Sequence, residues 1–192
     1  RFPPEVDKTA SLVAEPVFIE RPKRDPDIEM HAVSEKLPKL HQLNDPAARM
    51  TCLQRFAHHE LMAVELFAWA ILAYPEAPQA LVRGFLQVLG EEQLHCRLYV
   101  ARIRELGSVF GAEGLSDYFW RHIPAPEHER EGIPRFLAAM GLTLEQANLD
   151  FTKMYEEAFA AAKDHKTAHI LARIHKDEIG HVQLAYRWLK KL

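Results

Sequence analysis

Length, composition and charge favour a single globular domain of ordinary type. The chain has 192 residues, 48% of them hydrophobic, and its 24 basic and 27 acidic side chains give a formal net charge of -3. A chain of this length can bury a substantial core. The near balance of charge, without a long run of one sign, lacks the basic surface that nucleic acids and anionic membranes attract. We therefore expect neither nucleic acid nor a membrane as a partner.

Cysteine usage and hydropathy indicate a cytoplasmic protein. Cys52 and Cys96 do not form a closely spaced pair, so neither a zinc knuckle nor a disulfide scaffold is predicted. No apolar run reaches the roughly 18 residues needed to span a bilayer, because Glu65 interrupts the longest candidate. The N-terminal run RFPPEVDKTA lacks the apolar core of a signal peptide. A reducing cytoplasm is the expected setting.

Residues 1–45 are predicted to form an extended arm. They combine six prolines with charged residues and show no sustained helical period. The apolar run VFI at 17–19 is expected to hold this arm against the body of the protein. The body is then residues 46–192.

Four long helices are predicted in residues 46–192. Asn44 or Asp45 is the expected N-cap of the first helix, with Pro46 at its first position. The expected ranges are 46 to about 74, 78 to 106, 134 to about 163, and the segment from the break DHKT almost to Leu192. Residues 107–133 form a longer crossover, and no strand is predicted.

The lengths of the connections predict how these helices are arranged. Short turns make antiparallel neighbours of helices one and two and of helices three and four, while the crossover joins the two pairs. The predicted fold class is all-α, a ferritin-like four-helix bundle of two helical hairpins with one long crossover and an extended N-terminal arm.

Each predicted helix carries a carboxylate in the middle of its core-facing stripe. We followed the positions that recur at alternating steps of three and four residues, which on helix three begin with Ala138, Leu142 and Glu145. Helices two and four add a histidine one turn after the carboxylate. The side chains that interrupt the stripes are Glu60, Glu92, His95, Glu145, Glu178 and His181.

Spacing along the chain predicts that the four carboxylates lie at one height. Glu60 and Glu92 are 32 residues apart around a turn that lies midway between them, and Glu145 and Glu178 are 33 apart around a similar turn. The two halves therefore repeat one another as Glu followed by Glu-x-x-His. Glu65 is the alternative on helix one, but it would lie about one turn too close to the loop and beside the stripe.

Four carboxylates at one level of an apolar interior require compensating positive charge. Two metal ions satisfy this requirement, because four Glu and two His with Glu-x-x-His on two helices is the ligand set of di-iron and di-manganese carboxylate bundles. Oxygen-rich ligation suits iron or manganese better than structural zinc. One Glu-x-x-His is a weak signal, and the two matched copies carry the prediction. The expected cofactor is two iron ions, with Mn/Fe or Mn/Mn as alternatives, and the six side chains are the predicted metal ligands and catalytic residues.

Several neighbouring residues have open roles. Asp177 and Glu91 are placed to orient an imidazole from a neighbouring helix, because a metal-bound histidine normally donates its other ring proton. Tyr99 and Tyr186 are either redox-active neighbours of the site or core packing. Glu156 is either an end-of-bundle residue or an additional carboxylate of the site.

Four runs of the sequence resemble a known family. HHELMAVELFAWAILAYPEAP, EEQLHCRLY, LTLEQANLDFT and IHKDEIGHVQLAYRWL resemble a largely uncharacterised bacterial branch of the ferritin-like di-iron carboxylate superfamily, over roughly residues 50–190. The resemblance implies a di-metal bundle with the six ligands named above. The chain has Glu91-Glu92 where that resemblance leads us to expect Asp-Glu, a difference that leaves the ligand Glu92 intact. The resemblance supplies no substrate.

The leading functional hypothesis is an enzyme that activates O2 or peroxide to oxidise or hydroxylate an organic substrate. Its expected partners are O2 or peroxide, an unknown small-molecule substrate and an unknown electron donor, and a homodimer is compatible with the sequence. The alternative is a metal-handling or peroxide-scavenging protein without an organic substrate. A third reading is a bundle that uses metal for stability alone.

Overall fold

The molecule is described by a computed structural model, which covers residues 15–31, 33, 36–124 and 126–192, without the side chains of residues 126–130. Most of the described part of the chain is helical, and very little of it is strand. The helices are α1 (Pro46–Ala73), α2 (Gln79–Glu105), α3 (Tyr118–His122), α4 (Pro126–Phe136), a π-helical segment (Leu137–Leu144), α5 (Glu145–Ala161) and α6 (His165–Leu189). Two short 3-10 turns, Pro26–Ile28 and Leu40–Gln42, and two strands, β1 (Met30–His31) and β2 (Leu115–Ser116), complete the described elements.

Two antiparallel hairpins make up the body, α1 with α2 and α5 with α6. The Asp45 side chain caps α1 by accepting a hydrogen bond from the Ala47 amide at 2.9 Å, and Pro46 occupies the first position as predicted. Asp164 caps α6 in the same way, accepting from the Thr167 amide at 3.1 Å. The prediction of an all-α helical bundle is confirmed.

α1 is the most enclosed helix of the bundle. Residues 52–58 are buried without interruption, which is expected of a helix that is covered on all sides. By length and composition α1 is the one described helix that is apolar enough to cross a membrane, but 61% of its 18-residue apolar stretch is buried inside the protein. Burial of that extent is typical of a core helix.

The described part of the arm lies against α1 and the crossover. The Val17 amide donates to the Leu72 carbonyl at 3.0 Å, and the Phe18 ring lies 6.2 Å from that of Trp69. β1 pairs in parallel with β2, with Met30 opposite Leu115. The sequence indicated no strands, and pairs of two residues are too short to leave a period-two pattern. Residues 1–14, 32 and 34–35 lie outside the described residues, and the predicted boundary at 45/46 stays a prediction.

One buried ion pair fastens the arm to α1. The Arg24 guanidinium donates two hydrogen bonds of 2.7 Å to the two carboxylate oxygens of Glu65, and the Arg24 side chain is only 4% exposed. A further nitrogen of Arg24 lies 3.0 Å from His58 Nε2 and donates to the Ile28 carbonyl at 3.3 Å. The Trp120 indole of α3 also donates to Glu65, at 2.8 Å. The arm, α1 and the crossover therefore meet at the carboxylate of Glu65.

Two apolar clusters lie above and below one polar layer. The first cluster is built around the aromatic rings of Phe67, Phe85 and Phe136, and the second around Phe56 and Phe159. On each of the four long helical segments, the residues between the two clusters include a predicted metal ligand. The predicted ligands, which are equally spaced from the loops along the chain, therefore lie at the same height in the bundle.

The π-helical segment changes which residues of the third helix face the core. Its i→i+5 hydrogen bonds place more residues in each turn than an α-helix has, so the inward face shifts. The sequence predicted Ala138 and Leu142 on the core stripe, and this was wrong for Leu142, which is 37% exposed while Met140 is buried. Ala138 is only half-buried. A period of 3.6 residues cannot anticipate a π turn.

Gly141 allows the π-helical segment to approach α6. A Cβ atom at Gly141 would overlap the Cβ of Ala185, whereas a Cβ at Gly90 of α2 would meet no atom within 4 Å. We expect Gly141→Ala to lower the free energy of unfolding by about 1–3 kcal/mol through overpacking. Gly90→Ala is the matched control, and it should raise that free energy by up to about 1 kcal/mol because alanine favours helix. Urea denaturation of both variants measures the difference, and equal stabilities would contradict a close contact at Gly141.

Candidate metal centre

The six predicted ligands meet in the polar layer between the two apolar clusters. α1 supplies one carboxylate, α5 supplies one at its first residue, and α2 and α6 each supply a Glu-x-x-His pair. The residues are Glu60, Glu92, His95, Glu145, Glu178 and His181, and each is 4% exposed or less. Burial of six ionisable side chains at one level requires that they compensate one another or share bound cations.

These side chains form two overlapping groups of potential ligands. In each group four ligand atoms, one from each residue, lie within 4.8 Å of one another. The first group is Glu60, Glu92, His95 and Glu178, and the second is Glu92, Glu145, Glu178 and His181. Glu92 and Glu178 belong to both groups, which is the arrangement that two neighbouring ions with shared carboxylates would use.

The His95 ring is held between the cluster and a carboxylate on another helix. Its Nδ1 atom faces the cluster, 3.4 Å from Glu92 Oε2 and 3.6 Å from Glu60 Oε2. Its Nε2 atom lies 3.1 Å from Asp177 Oδ2 of α6. Nδ1 is therefore the atom available to a metal ion, while Asp177 fixes the orientation of the ring.

The His181 ring repeats this arrangement in the opposite direction. Its Nδ1 atom lies 3.0 Å from Glu178 Oε2, and its Nε2 atom lies 2.8 Å from Glu91 Oε2 of α2. The prediction that Asp177 and Glu91 each contact an imidazole of the neighbouring helix is confirmed. Both carboxylates are one-third exposed, so each links a buried ring to the surface.

Burial shifts the pKa values of the side chains in the cluster. Burial, reinforced by the charge of Glu92, raises the pKa of Glu60 to about 8, and burial beside Glu178 raises the pKa of Glu145 well above its usual value. Burial lowers the pKa of His95, but hydrogen bonds to Glu60 and Glu92 outweigh it and raise the pKa to about 11. Protons thus compensate the carboxylates when no cation is bound, and metal ions would displace them.

Two buried carboxylate oxygens provide a test of whether metal ions fit. Among the described residues, neither Glu92 Oε1 nor Glu145 Oε1 has a hydrogen-bond partner. Glu92 Oε1 does lie 2.9 Å from His181 Nδ1, but without the alignment of a hydrogen bond. A buried acceptor without a donor is costly, and a cation would satisfy both oxygens. The donor set of four carboxylates and two imidazoles fits two ions such as iron or manganese.

Sequence reasoning missed Asn148. Its side-chain amide donates to Glu178 Oε1 at 2.8 Å and so braces a shared carboxylate. Asn148 follows Glu145 by three residues, which places both on one face of a helix. The spacing Glu-x-x-Asn on α5 therefore mirrors Glu-x-x-His, and that spacing was the available signal.

The structure separates Glu65, Glu156 and Tyr186 from the cluster, but not Tyr99. Glu65 is bound by Arg24, and Glu156 pairs with Lys153 at the surface, 3.2 Å away. Tyr186 is half-exposed, which excludes a role within the buried layer. Tyr99 is buried, and burial together with the charge of Glu60 raises the pKa of its hydroxyl well above the usual value.

A chamber of about 390 Å³ opens on the acidic side of the cluster. Three carboxylates, those of Glu60, Glu92 and Glu145, line it, whereas neither cluster histidine does. Its apolar walls come from α1, α3, α5 and the π-helical segment, through Phe56, Ala63, Phe119, Met140, Leu144 and Phe151. The sequence could not indicate this chamber, since two of its walls depend on the crossover and on the π turn.

Comparison with known proteins places the chain in a family. It is 30% identical over 147 residues to an uncharacterized protein of Haemophilus influenzae (strain ATCC 51907 / DSM 11121 / KW20 / Rd), an alignment that covers 73% of this chain and 50% of that protein. The chain thus spans about half the length of this relative. No solved structure matches the chain described here. A family model matches residues 5–192, which is nearly the whole chain. The chain belongs to the family described as "Protein of unknown function (DUF455)".

Proposed function

We propose that this protein is a ferritin-like di-metal carboxylate enzyme that activates O2 or peroxide to oxidise or hydroxylate an organic substrate. The observation that carries the proposal is the pair of buried four-ligand groups that share Glu92 and Glu178 beside an apolar chamber. Two helical hairpins that enclose Glu-x-x-His pairs support the ferritin-like assignment. The proposed cofactor is two iron ions, with Mn/Fe or Mn/Mn as the alternatives.

The ligands divide between shared and individual roles. Glu60 and His95 would hold one ion, Glu145 and His181 the other, and the two shared carboxylates would hold both; the geometric groups support this division. When bound, the two ions supply the electrons and the Lewis acidity that reduction of O2 or peroxide requires. The protein's own task is to fix the ligands.

Fixing the ligands depends on their outer partners. Asp177 and Glu91 accept from the Nε2 atoms of the two imidazoles, which keeps both Nδ1 atoms directed into the cluster. Asn148 restrains Glu178. The apolar clusters above and below the layer exclude water from the remaining faces.

The chamber favours substrate oxidation over the metal-handling alternative. An activity confined to oxidising metal has no use for an apolar chamber beside its ligands. The chamber that reaches Glu60 and Glu145 is lined mostly by apolar side chains, which suits an organic molecule. A separate electron donor and a cytoplasmic location complete the proposal.

Oxygen uptake tests this function. The purified chain would be loaded anaerobically with Fe(II), desalted, and supplied with ascorbate and air in an oxygen-electrode cell. We expect sustained uptake that exceeds the bound iron many-fold, and its loss in Glu145→Ala. Glu156→Ala, which removes a carboxylate of α5 outside the cluster, should retain it. Uptake that stops once the bound Fe(II) is oxidised would support metal handling instead, and no uptake by the loaded protein would contradict both activities.

A further inference from the structure

The chamber beside the metal centre is lined by acidic and apolar side chains, without a lysine or arginine among the described lining residues. The one imidazole among these residues, that of His59, is stacked on the ring of Phe119. The hydroxyl of Tyr155 already donates to the Pro38 carbonyl at 2.9 Å. The carboxylates of Glu60, Glu92 and Glu145 would stand next to any bound group. In the metal-free chain, a ligand with a carboxylate, phosphate or sulfonate in this chamber would therefore bury its charge beside acidic side chains and without a lysine or arginine partner, which is disfavoured.

The chamber wall is instead suited to apolar contact. Phe56, Phe119 and Phe151 contribute aromatic faces, and Phe119 itself stacks on His59 with ring centroids 5.2 Å apart. The volume of about 390 Å³ falls within the usual range of small-molecule sites, about 300–1,000 Å³. Rings of this kind bind flat apolar groups through large contact areas.

The mouth of the chamber is aromatic and accessible. Tyr118 and Phe151 both line the chamber and remain more than 40% exposed. Leu37, contributed by the N-terminal arm, also lines the chamber. Exposed apolar side chains at the entrance of an apolar cavity mark it as a ligand site.

From these observations we propose that the chamber is a substrate site for neutral, largely apolar molecules, aromatic ones above all, and that without metal it discriminates against anions. This inference rests on the proposed function, because it makes the chamber the place where the substrate meets the metal centre. It adds the chemical class of that substrate.

A pair of fluorescent probes that share one skeleton tests the inference directly. N-phenyl-1-naphthylamine is neutral, and 8-anilinonaphthalene-1-sulfonate adds one sulfonate to the same rings. Titration of the metal-free chain with each probe should show one neutral probe bound per chain with blue-shifted emission. The sulfonate should bind at least about tenfold more weakly, because in the metal-free chamber its charge lies beside acidic side chains and has no lysine or arginine partner.

Two substitutions locate the bound probe. Ala147→Phe, at a half-buried position of the chamber wall, should weaken the neutral probe at least about tenfold by filling the cavity. Phe151→Lys, at the exposed mouth, adds the missing cation and should strengthen the sulfonate probe. Because Phe151 is solvent-accessible, this second variant tests the inference even if Ala147→Phe fails to fold. Leu86→Lys adds the same cation at an exposed site of α2 away from the chamber and should change neither affinity.

The opposite results would overturn the inference. Binding of the sulfonate as tight as that of the neutral probe would remove the discrimination against anions. Loss of the neutral probe in Phe18→Ser, with no change in Ala147→Phe, would place it on the exposed apolar patch of the arm instead. None of these titrations uses metal or oxygen. If the probes bind as expected but the iron-loaded protein takes up no oxygen, the proposed oxygen chemistry is refuted and the ligand site in the chamber stands.

Discussion

Replacing either Glu145 or His181 by alanine is expected to reduce the bound metal from two ions per chain to well below two. Substitution even of an outer partner of a metal ligand typically costs about 10–100-fold in affinity, and we expect the loss of a direct ligand to cost at least as much. Elemental analysis after reconstitution with Fe(II) or Mn(II) and desalting measures the stoichiometry. Far-UV circular dichroism should show the helical content largely intact, because neither side chain belongs to the apolar clusters.

Glu156→Ala is the matched control for this experiment. Glu156 lies on the same helix as Glu145, but it pairs with Lys153 at the surface, so this variant should retain two ions. Full stoichiometry in Glu145→Ala and His181→Ala would refute the ligand assignment. A general loss of metal that includes Glu156→Ala would point to damage of α5 rather than to loss of a ligand.

Arg24→Ala is expected to lower the free energy of unfolding by about 3–5 kcal/mol, the usual cost of removing one partner of a buried ion pair. Arg24 is almost fully buried, and its loss leaves the Glu65 carboxylate with the Trp120 indole. The arm residues near Ile28 would also lose their hydrogen bond to the guanidinium. Urea denaturation followed by circular dichroism measures the change.

Two controls compare the loss of this buried ion pair with the loss of an exposed pair and with the removal of both charges. Lys153→Ala breaks an exposed pair with Glu156 and should cost less than about 1 kcal/mol. The double variant Arg24→Met with Glu65→Met should recover much of the stability, because an apolar pair avoids the isolated buried charge. If Arg24→Ala cost no more than Lys153→Ala, the arm would not be fastened by this contact.

The two sides of the polar layer have different environments. The side that faces the chamber presents carboxylates, whereas His181 lies at a separate groove of about 290 Å³ together with Glu91 and Asp177. The side that holds the imidazoles is therefore braced by outer carboxylates. The side nearer α1 and α5 is the one on which the apolar chamber opens. This asymmetry is what the proposed chemistry requires, because rigid ligands on one side leave the other side for reaction.

Much of the cluster could be predicted because it follows from periodicity alone. On a straight α-helix, a residue's face is fixed by its spacing, and on two antiparallel helices its height is fixed by its distance from the loop. Those two rules predicted that Glu60 lies level with Glu92 and that Glu145 lies level with Glu178, and in the structure all four lie between the two apolar clusters. They also excluded Glu65, which the structure assigns to Arg24.

What only the tertiary structure decided is everything that depends on irregular backbone or on distant contacts. The π turn before Glu145 buries Met140 in place of Leu142, because its hydrogen bonds change the number of residues per turn. The chamber exists because the crossover carries Phe119 back over α1, and no local pattern encodes where a long connection will pack. The sequence by itself determined the four long helical segments and one layer of charged side chains. Long-range packing then decided on which side that layer meets a cavity.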